Sequence, residues 1–299
     1  MATKIVVGVD GSETSWKALR WAAYAARRRH AELRIVSCYT FAGYRGLDGA
    51  VYPSAIDLDT LKEGATAVIN RAIAVVETID AGLVVDGVTP LSAPVAGITD
   101  EARPGDEIVV GATGHSGLLG GLLGSVATGV VHRAHVPVVV VPAESGAEAG
   151  DRMSKIVVGV DGSAESLVAL HWAYDEAAAT GADLDVVHAW LYPYPVSDDS
   201  PREVRRPMEL DAQRELEASV QALGPKLTDG SVRVHPQLYE HTPADALIED
   251  GENADLIVVG SRGRGGLRAR LLGSVSRTTI QHAPCPVAVV RGPENERSR

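Results

Sequence analysis

Short apolar runs alternate along the chain with longer stretches in which apolar residues return at helical spacing. Runs of this length that are rich in Ile and Val are typical of strands buried in a parallel sheet. We predict strands at residues 4–9, 33–39, 83–88, 107–110 and 138–141, and again at 155–160, 184–190, 231–239, 255–259 and 287–291. Helices are predicted to begin at Ser12, which is a good N-cap, and to cover residues 56–78, 94–102, 125–134, 163–180, 203–223, 243–251 and 274–282.

Residues 40–55 interrupt this alternation with three glycines and a proline, and they predict a long loop. The rest of the pattern predicts an α/β fold with a parallel sheet and helices on both faces. Because strand–helix–strand connections are right-handed, each five-stranded unit is expected to have the doubly wound strand order 3-2-1-4-5.

The chain repeats itself. Lys4–Ser12 and Lys155–Ser163 have the same sequence, KIVVGVDGS, and the later motifs return at almost the same offset. A repeat of this length indicates a duplicated domain rather than a solenoid unit. We therefore predict one domain at 1–142, a small and acidic linker at 143–152, a second domain of the same type at 153–293, and a tail at 294–299.

Composition narrows the class of partner. The 299 residues are 45% apolar, which is enough for packed cores, and the formal net charge of −11 argues against a nucleic-acid partner. The chain has neither an apolar run long enough to span a membrane nor a secretory signal pattern, so we expect a cytoplasmic protein without membrane contact. The two cysteines, Cys38 and Cys285, are far apart, and we expect both to be buried and unpaired.

A glycine pattern follows the fourth strand of each repeat: two residues separate the first pair of glycines, nine more lead to a third, and a serine follows at once. The residues concerned are Gly111, Gly114, Gly124 and Ser125, then Gly260, Gly263, Gly273 and Ser274. A Gly-rich loop between a strand and a helix start presents backbone N–H groups to an anion, most often phosphate. The two serines are predicted to N-cap their helices and to offer a hydroxyl to the same anion.

The two copies differ in hydroxyl groups and in charge. Ser276 adds a hydroxyl where the first copy has Ala127. The second loop carries four arginines, of which Arg264 is the expected phosphate contact, whereas the first loop offers only His115. We therefore expect the C-terminal site to bind nucleotide more tightly.

The predicted strand order makes the first and fourth strands neighbours, and a crevice opens at their carboxyl ends. Asp10 and Asp161 follow the first strands and should face the glycine patterns there. Each aspartate can cap a turn, recognise an amino group of a base, or help to hold magnesium. No Ser–His–Asp set, metal-ligand cluster, Walker loop or G-x-G-x-x-G pattern accompanies them.

In combination, the repeated KIVVGVDGS, the repeated G-x2-G-x9-G-S and the closing strands HVPVVVV and CPVAVV resemble the universal stress protein family in a tandem two-domain form. The resemblance covers both halves. It implies flavodoxin-like domains, ATP binding by the subfamily that keeps the glycine pattern, and pairing of the domains through their last strands into a pseudo-dimer.

The resemblance also implies particular contacts. Adenine would lie against the end of the first strand and the end of the second strand, at Gly8, Val9, Asp10 and Cys38, and at Gly159, Val160, Asp161 and Ala189. Ribose and phosphates would lie against the glycine pattern and the residue after its serine, which is Val126 or Val275. The second site would add Ser276 and Arg264, and the first His115.

These observations lead to the hypothesis of a cytoplasmic, ATP-binding regulatory protein of the stress response, with one site per domain and with Mg²⁺ accompanying the nucleotide. It would act through nucleotide-dependent conformation or through a regulatory protein partner, and two chains could pair as a homodimer. We expect no catalytic residues and at most weak ATPase activity. The alternatives are a slow ATP hydrolase, for which phosphate positioning and a metal would suffice, and an interaction module that no longer binds nucleotide.

Overall fold

A computed structural model of the chain describes residues 4–40, 44–45, 51–52, 57–114, 123–146, 150–192, 202–263 and 272–292. The chain divides into two compact units, Met1–Val136 and Pro137–Arg299. Two predicted site residues, His115 and Arg264, lie outside the described residues.

The first unit alternates strands and helices as predicted. Its described elements are β1 (Lys4–Gly8), α1 (Glu13–Arg29), β2 (Glu32–Val36), β3 (Tyr44–Arg45), β4 (Val51–Tyr52), α2 (Leu58–Ile79), β5 (Val85–Val88), α3 (Pro94–Asp100), β6 (Glu107–Gly111) and α4 (Ser125–Arg133). The predicted loop at 40–55 was wrong in one respect, because β3 and β4 form a short antiparallel pair within it.

The main sheet of this unit has the order β5-β2-β1-β6, and all of its pairs are parallel. This is the predicted order 3-2-1-4. The central strand β1 is buried on both faces, since Ile5, Val6 and Val7 are inaccessible to solvent. Helix α1 packs beside α2, and α3 packs beside α4. Successive strands are added toward one edge of the sheet from β1 through β2 to β5, and β6 then joins β1 on its other side. Because the connections are right-handed, this change of side places the two helix pairs on opposite faces.

The second unit repeats this plan. Its elements are β7 (Val138–Val141), β8 (Lys155–Gly159), α5 (Ala164–Thr180), β9 (Asp183–Trp190), α6 (Arg202–Gln221), β10 (Val234–Glu240), α7 (Pro243–Asp250), β11 (Leu256–Gly260), α8 (Ser274–His282) and β12 (Val287–Val290). Strands β10-β9-β8-β11-β12 are parallel in that order, which confirms the doubly wound prediction of 3-2-1-4-5.

Strand β7 closes the first repeat in sequence, yet it belongs to the second compact unit because it pairs antiparallel with β12. All eight residues of these two strands are buried. The last strands of the two repeats thus cover each other's backbone hydrogen-bonding groups. At the other end of this sheet, Pro236 lies in β10, an edge strand where a missing N–H is tolerated.

The first helix of each repeat begins at the residue that the sequence predicted. Ser12 is the N-cap of α1 and accepts a hydrogen bond from the N–H of Ser15, and Ser163 does the same for α5 through Ser166. These caps place each helix directly after the turn that follows the first strand. No helix among the described residues is long and apolar enough to cross a membrane.

Candidate functional site

A cavity of about 240 Å³ opens in the second unit at the carboxyl ends of β8 and β11, which is where the strand order predicts a ligand site. It brings together the site residues predicted for this repeat, Arg264 apart, although they are distant in sequence. Those residues are Gly159, Val160, Asp161, Ala189, Gly260, Gly263, Gly273, Ser274, Val275 and Ser276.

Asp161 is held by the start of α5. Its Oδ1 accepts hydrogen bonds from the backbone N–H of Ser163 at 3.0 Å and from the Ser163 hydroxyl at 2.6 Å. The turn-capping role considered for this aspartate is therefore present. The same bonds fix the carboxylate at the rim of the cavity, with Oδ2 facing Gly263.

The glycines of the second pattern make close approaches possible. A Cβ at Gly260 would lie 3.2 Å from the carbonyl oxygen of Glu165, in the first turn of α5, and a Cβ at Gly263 would collide with Oδ2 of Asp161. The N–H of Gly273 donates to the Ser261 carbonyl at 2.9 Å and draws the end of the loop back to its beginning. Glycine is required here because the turn packs against backbone and a fixed carboxylate.

The helix that follows each glycine pattern begins differently from the prediction. The N-caps of α4 and α8 are Gly124 and Gly273, so the expected N-cap role of Ser125 and Ser274 was wrong. Each serine is the first helical residue and is exposed. A capping hydroxyl belongs to the extended residue just before the helix, and here that residue is the glycine. The serine comes one residue later, so its hydroxyl is not placed to accept from the N–H of N2 or N3. The backbone N–H groups at this helix start have no partner within the helix.

Ser276 is buried, and its hydroxyl donates to the Gly260 carbonyl at 2.7 Å. Its proton therefore ties α8 to the end of β11. In the first repeat Ala127 is buried at the equivalent position of α4. The extra hydroxyl thus serves the second repeat's framework as well as lining its cavity.

One wall of the cavity was missed by the sequence analysis. Pro243 and Leu247, one turn apart on α7, line it together with Val187 and Val259. Ser166 and Arg262 also line it. The wall formed by Pro243 and Leu247 could have been predicted from their spacing of one turn on a predicted helix between the third and fourth strands. In a doubly wound sheet that helix crosses beside the switch point.

Arg262, which lines the cavity beside the glycine turn, pairs with Glu165 of α5. Its Nη2 lies 3.3 Å from Glu165 Oε1, and the two side chains are 29% and 26% exposed. Arg262 is one of the four arginines of the second glycine loop, and no role was predicted for it from the sequence. The structure shows it held against α5 by a partner from the other end of the repeat.

The first repeat has the same backbone arrangement. Asp10 Oδ1 accepts bonds from the N–H of Ser12 at 3.0 Å and from its hydroxyl at 2.5 Å. Cβ atoms at Gly111 and Gly114 would each lie 2.9 Å from their nearest neighbours, the Thr14 backbone and Asp10 Oδ2. The N–H of Gly124 donates to the Ala112 carbonyl at 2.7 Å.

The remaining predicted residues of this repeat lie around the same strand ends. Gly8 ends β1 opposite Ile98 of α3, as Gly159 ends β8 opposite Leu247 of α7. Val9 is buried, and its N–H donates to the Val36 carbonyl. Val126 is the half-buried second residue of α4.

Cys38 follows β2 and packs against α3, where a Cβ at Gly97 would lie 2.5 Å from its Sγ. Burial, reinforced by the charge of Glu101, raises the pKa of the Cys38 thiol to about 11. Cys285 is buried as expected, whereas Cys38 is only partly so. A thiol with so high a pKa is protonated near neutral pH and contributes shape rather than charge.

Comparison with known proteins agrees with this architecture. The universal stress protein family profile matches residues 1–142 and 153–291. A universal stress protein of Mycobacterium tuberculosis is 34% identical over 97% of this chain and 96% of its own length. A universal stress protein structure from Archaeoglobus fulgidus, at 22% identity, superposes with a TM-score of 0.66 over 97% of this chain and 99% of its own. One from Pseudomonas aeruginosa, at 18% identity, gives 0.64 over 97% and 93%. The two repeats, their doubly wound sheets and their repeated glycine turns thus have one explanation: the chain belongs to the universal stress protein family.

Proposed function

We propose that this protein is a cytoplasmic, ATP-binding regulatory protein with one nucleotide site in each repeat. It would act through a change of conformation, or of partner binding, that depends on the bound nucleotide. The observation that supports this most directly is the cavity of the second unit, which combines an apolar wall with a polar loop and a helix start.

The two sides of the cavity match the two ends of a nucleotide. Val187, Ala189 and Leu247 offer an apolar wall to a planar base. Gly263, Gly273 and Ser274 lie where a glycine turn meets the positive end of the α8 dipole, which favours phosphate. Asp161, fixed at the rim by Ser163, is placed to accept a hydrogen bond from a ligand amino group.

Magnesium would arrive with the phosphates. Among the residues described by the structure, no group of three or more His, Cys, Asp or Glu side chains is placed to hold a metal ion. Asp161 is the carboxylate on the cavity rim, and one of its oxygens is already engaged by Ser163. Mg²⁺ commonly keeps several waters and binds through substrate phosphates with few protein carboxylates, so a site of this kind suffices.

The test is to denature freshly purified full-length protein and to quantify the released small molecules by chromatography and mass spectrometry. Two ATP per chain are expected if both repeats bind, and one if only the second does. Titration of nucleotide-free protein with ATP, ADP, AMP and cyclic AMP then identifies the preferred ligand. The absence of both released nucleotide and binding heat would overturn the proposal in favour of the interaction module.

A matched pair of variants assigns the sites. Gly263→Val places bulk against Asp161 in the second repeat, and Gly114→Val does the same against Asp10 in the first. Each variant should remove about one equivalent of nucleotide. Loss of both equivalents from one variant, in protein that keeps its circular dichroism spectrum, would contradict independent sites.

A further inference from the structure

The Glu165–Arg262 pair beside the cavity of the second unit has no counterpart in the first repeat. Glu165 and Arg262 occupy positions equivalent to Thr14 and Thr113. In the first repeat the Thr14 hydroxyl donates to the Thr113 carbonyl, so a neutral contact joins the same two segments. The backbone frame therefore does not require an ion pair at this place.

Arg262 is positioned to meet a ligand. It lines the cavity with Gly263 and Ser274, the residues of the glycine turn and the helix start. A guanidinium carries five donors in a planar fork, and the contact with Glu165 Oε1 engages one terminal nitrogen, Nη2. The remaining donors match the geometry of a phosphate.

Glu165 has the opposite effect on an anion. Its carboxylate lies in the first turn of α5, where a negative charge is favoured by the helix dipole. The same charge would repel a phosphate bound at the neighbouring glycine turn. The 3.3 Å contact with Arg262 neutralises it, and partial exposure of both groups leaves the pair sensitive to an incoming anion.

We propose that the Glu165–Arg262 pair makes the second site selective for the number of phosphate charges on its ligand. Arg262 strengthens binding of polyphosphate nucleotides over nucleosides and cyclic monophosphates, and Glu165 limits that gain by competing for the guanidinium. The first site, with Thr14 and Thr113, discriminates less. This inference rests on the nucleotide binding proposed for the cavity of the second unit.

The pair predicts opposite effects for its two neutral substitutions. Arg262→Gln should weaken ATP binding at the second site about tenfold or more, because a charge-assisted bond is lost and Glu165 is left uncompensated. Glu165→Gln should tighten ATP binding about threefold, because the guanidinium is released to the phosphates. The double variant should lie between them. Adenosine affinity should stay within about twofold in all three, since adenosine carries no charge.

The experiment is calorimetric titration of the nucleotide-free full chain with ATP, ADP, AMP, cyclic AMP and adenosine at two salt concentrations. The first repeat is unaltered in Arg262→Gln, Glu165→Gln and the double variant, and it serves as their internal reference. Higher salt should reduce the ATP-to-adenosine affinity ratio of the wild-type second site and should change that of Arg262→Gln less. Thr113→Arg in the first repeat supplies a matched gain, and ATP affinity there should rise while adenosine affinity does not.

The outcomes separate this inference from the proposed function. If wild-type protein binds none of the five ligands, the nucleotide site itself is wrong. If ATP and adenosine bind but their affinity ratio is the same in wild type, Arg262→Gln and Glu165→Gln, the site stands and charge selection by this pair is overturned. Opposite shifts in the two folded variants, seen with ATP and not with adenosine, would support it.

Discussion

Beside the glycine turn of the first repeat the Thr14 hydroxyl donates to the Thr113 carbonyl, whereas in the second repeat Glu165 pairs with Arg262. Both contacts join the glycine turn to the first turn of the same helix. The glycines beside them keep their close packing in both repeats. Duplication has therefore preserved the close backbone approach at these glycines, while the side chains around it have diverged in charge.

One pair of core positions shows the opposite distribution of charge. In the first repeat, Arg29 and Glu107 form a buried ion pair with an Nη1–Oε2 distance of 2.9 Å and side chains 3% and 1% exposed. The second repeat has Thr180 and buried Leu256 at the equivalent positions. The same α/β frame thus accepts either an ion pair or two uncharged residues at these positions of the first helix and the fourth strand.

The largest effect we predict comes from breaking that pair. Arg29→Ala should lower the free energy of unfolding by about 3–5 kcal/mol, because the Glu107 carboxylate would remain buried without its counter-charge. Arg29→Thr combined with Glu107→Leu copies the second repeat and should cost less than about 1 kcal/mol. Chemical denaturation of the full chain measures both. A double variant as unstable as the single one would show that the two repeats are not interchangeable here.

The next largest effect on the free energy of unfolding is expected at the glycines that end the fourth strands. Gly111→Ala should cost about 2–3 kcal/mol and Gly260→Ala about 1 kcal/mol, because the added methyl meets helix backbone more closely in the first repeat. Thermal and chemical unfolding should rank them in that order. Gly64→Ala in α2 is the control, since a Cβ there meets nothing within 4 Å and should stabilise the helix by up to about 1 kcal/mol. Equal costs at positions 111 and 260 would contradict the distances.

A smaller loss of stability is expected from Ser276→Ala. The variant removes the 2.7 Å bond to the Gly260 carbonyl in a buried setting and should cost about 1–2 kcal/mol. Ser125→Ala, at an exposed helix start, should change stability by less than about 0.5 kcal/mol. Urea titration compares the two variants. A neutral Ser276→Ala would contradict a stabilising role for this hydrogen bond.

The smallest predicted effect changes sign between the repeats. The C-cap of helix α1 is His30, with a φ of 51°, whereas that of α5 is Gly181, with a φ of 74°. His30→Gly should raise the free energy of unfolding by about 1 kcal/mol, and Gly181→Ala should lower it by a similar amount. The reason is that glycine, which has no Cβ, adopts this left-handed conformation without a steric cost. Differential scanning calorimetry tests both. A destabilising His30→Gly would show that the imidazole contributes more than the backbone strain costs.

Features that depend on a contiguous sequence pattern could be predicted, and features that depend on a single backbone angle or on very short strands could not. Strands, helices and the N-caps Ser12 and Ser163 followed from local patterns, and the strand order followed from the handedness of the connections. The role of Ser125 and Ser274 was predicted wrongly, because choosing between serine and the preceding glycine as N-cap requires the backbone angles of one residue. The β3–β4 pair was missed because two-residue strands carry no periodic signal.

The sequence by itself determined the duplication, the doubly wound sheets and the edge at which the aspartates meet the glycine turns. These follow from periodicity and chain topology, which are properties of contiguous segments. Only the tertiary structure decided that Arg262 meets Glu165, that Arg29 meets Glu107, and that α7 walls the cavity. Each of these depends on side chains from distant segments approaching within a few ångströms, and burial and charge at that distance cannot be read from either segment alone.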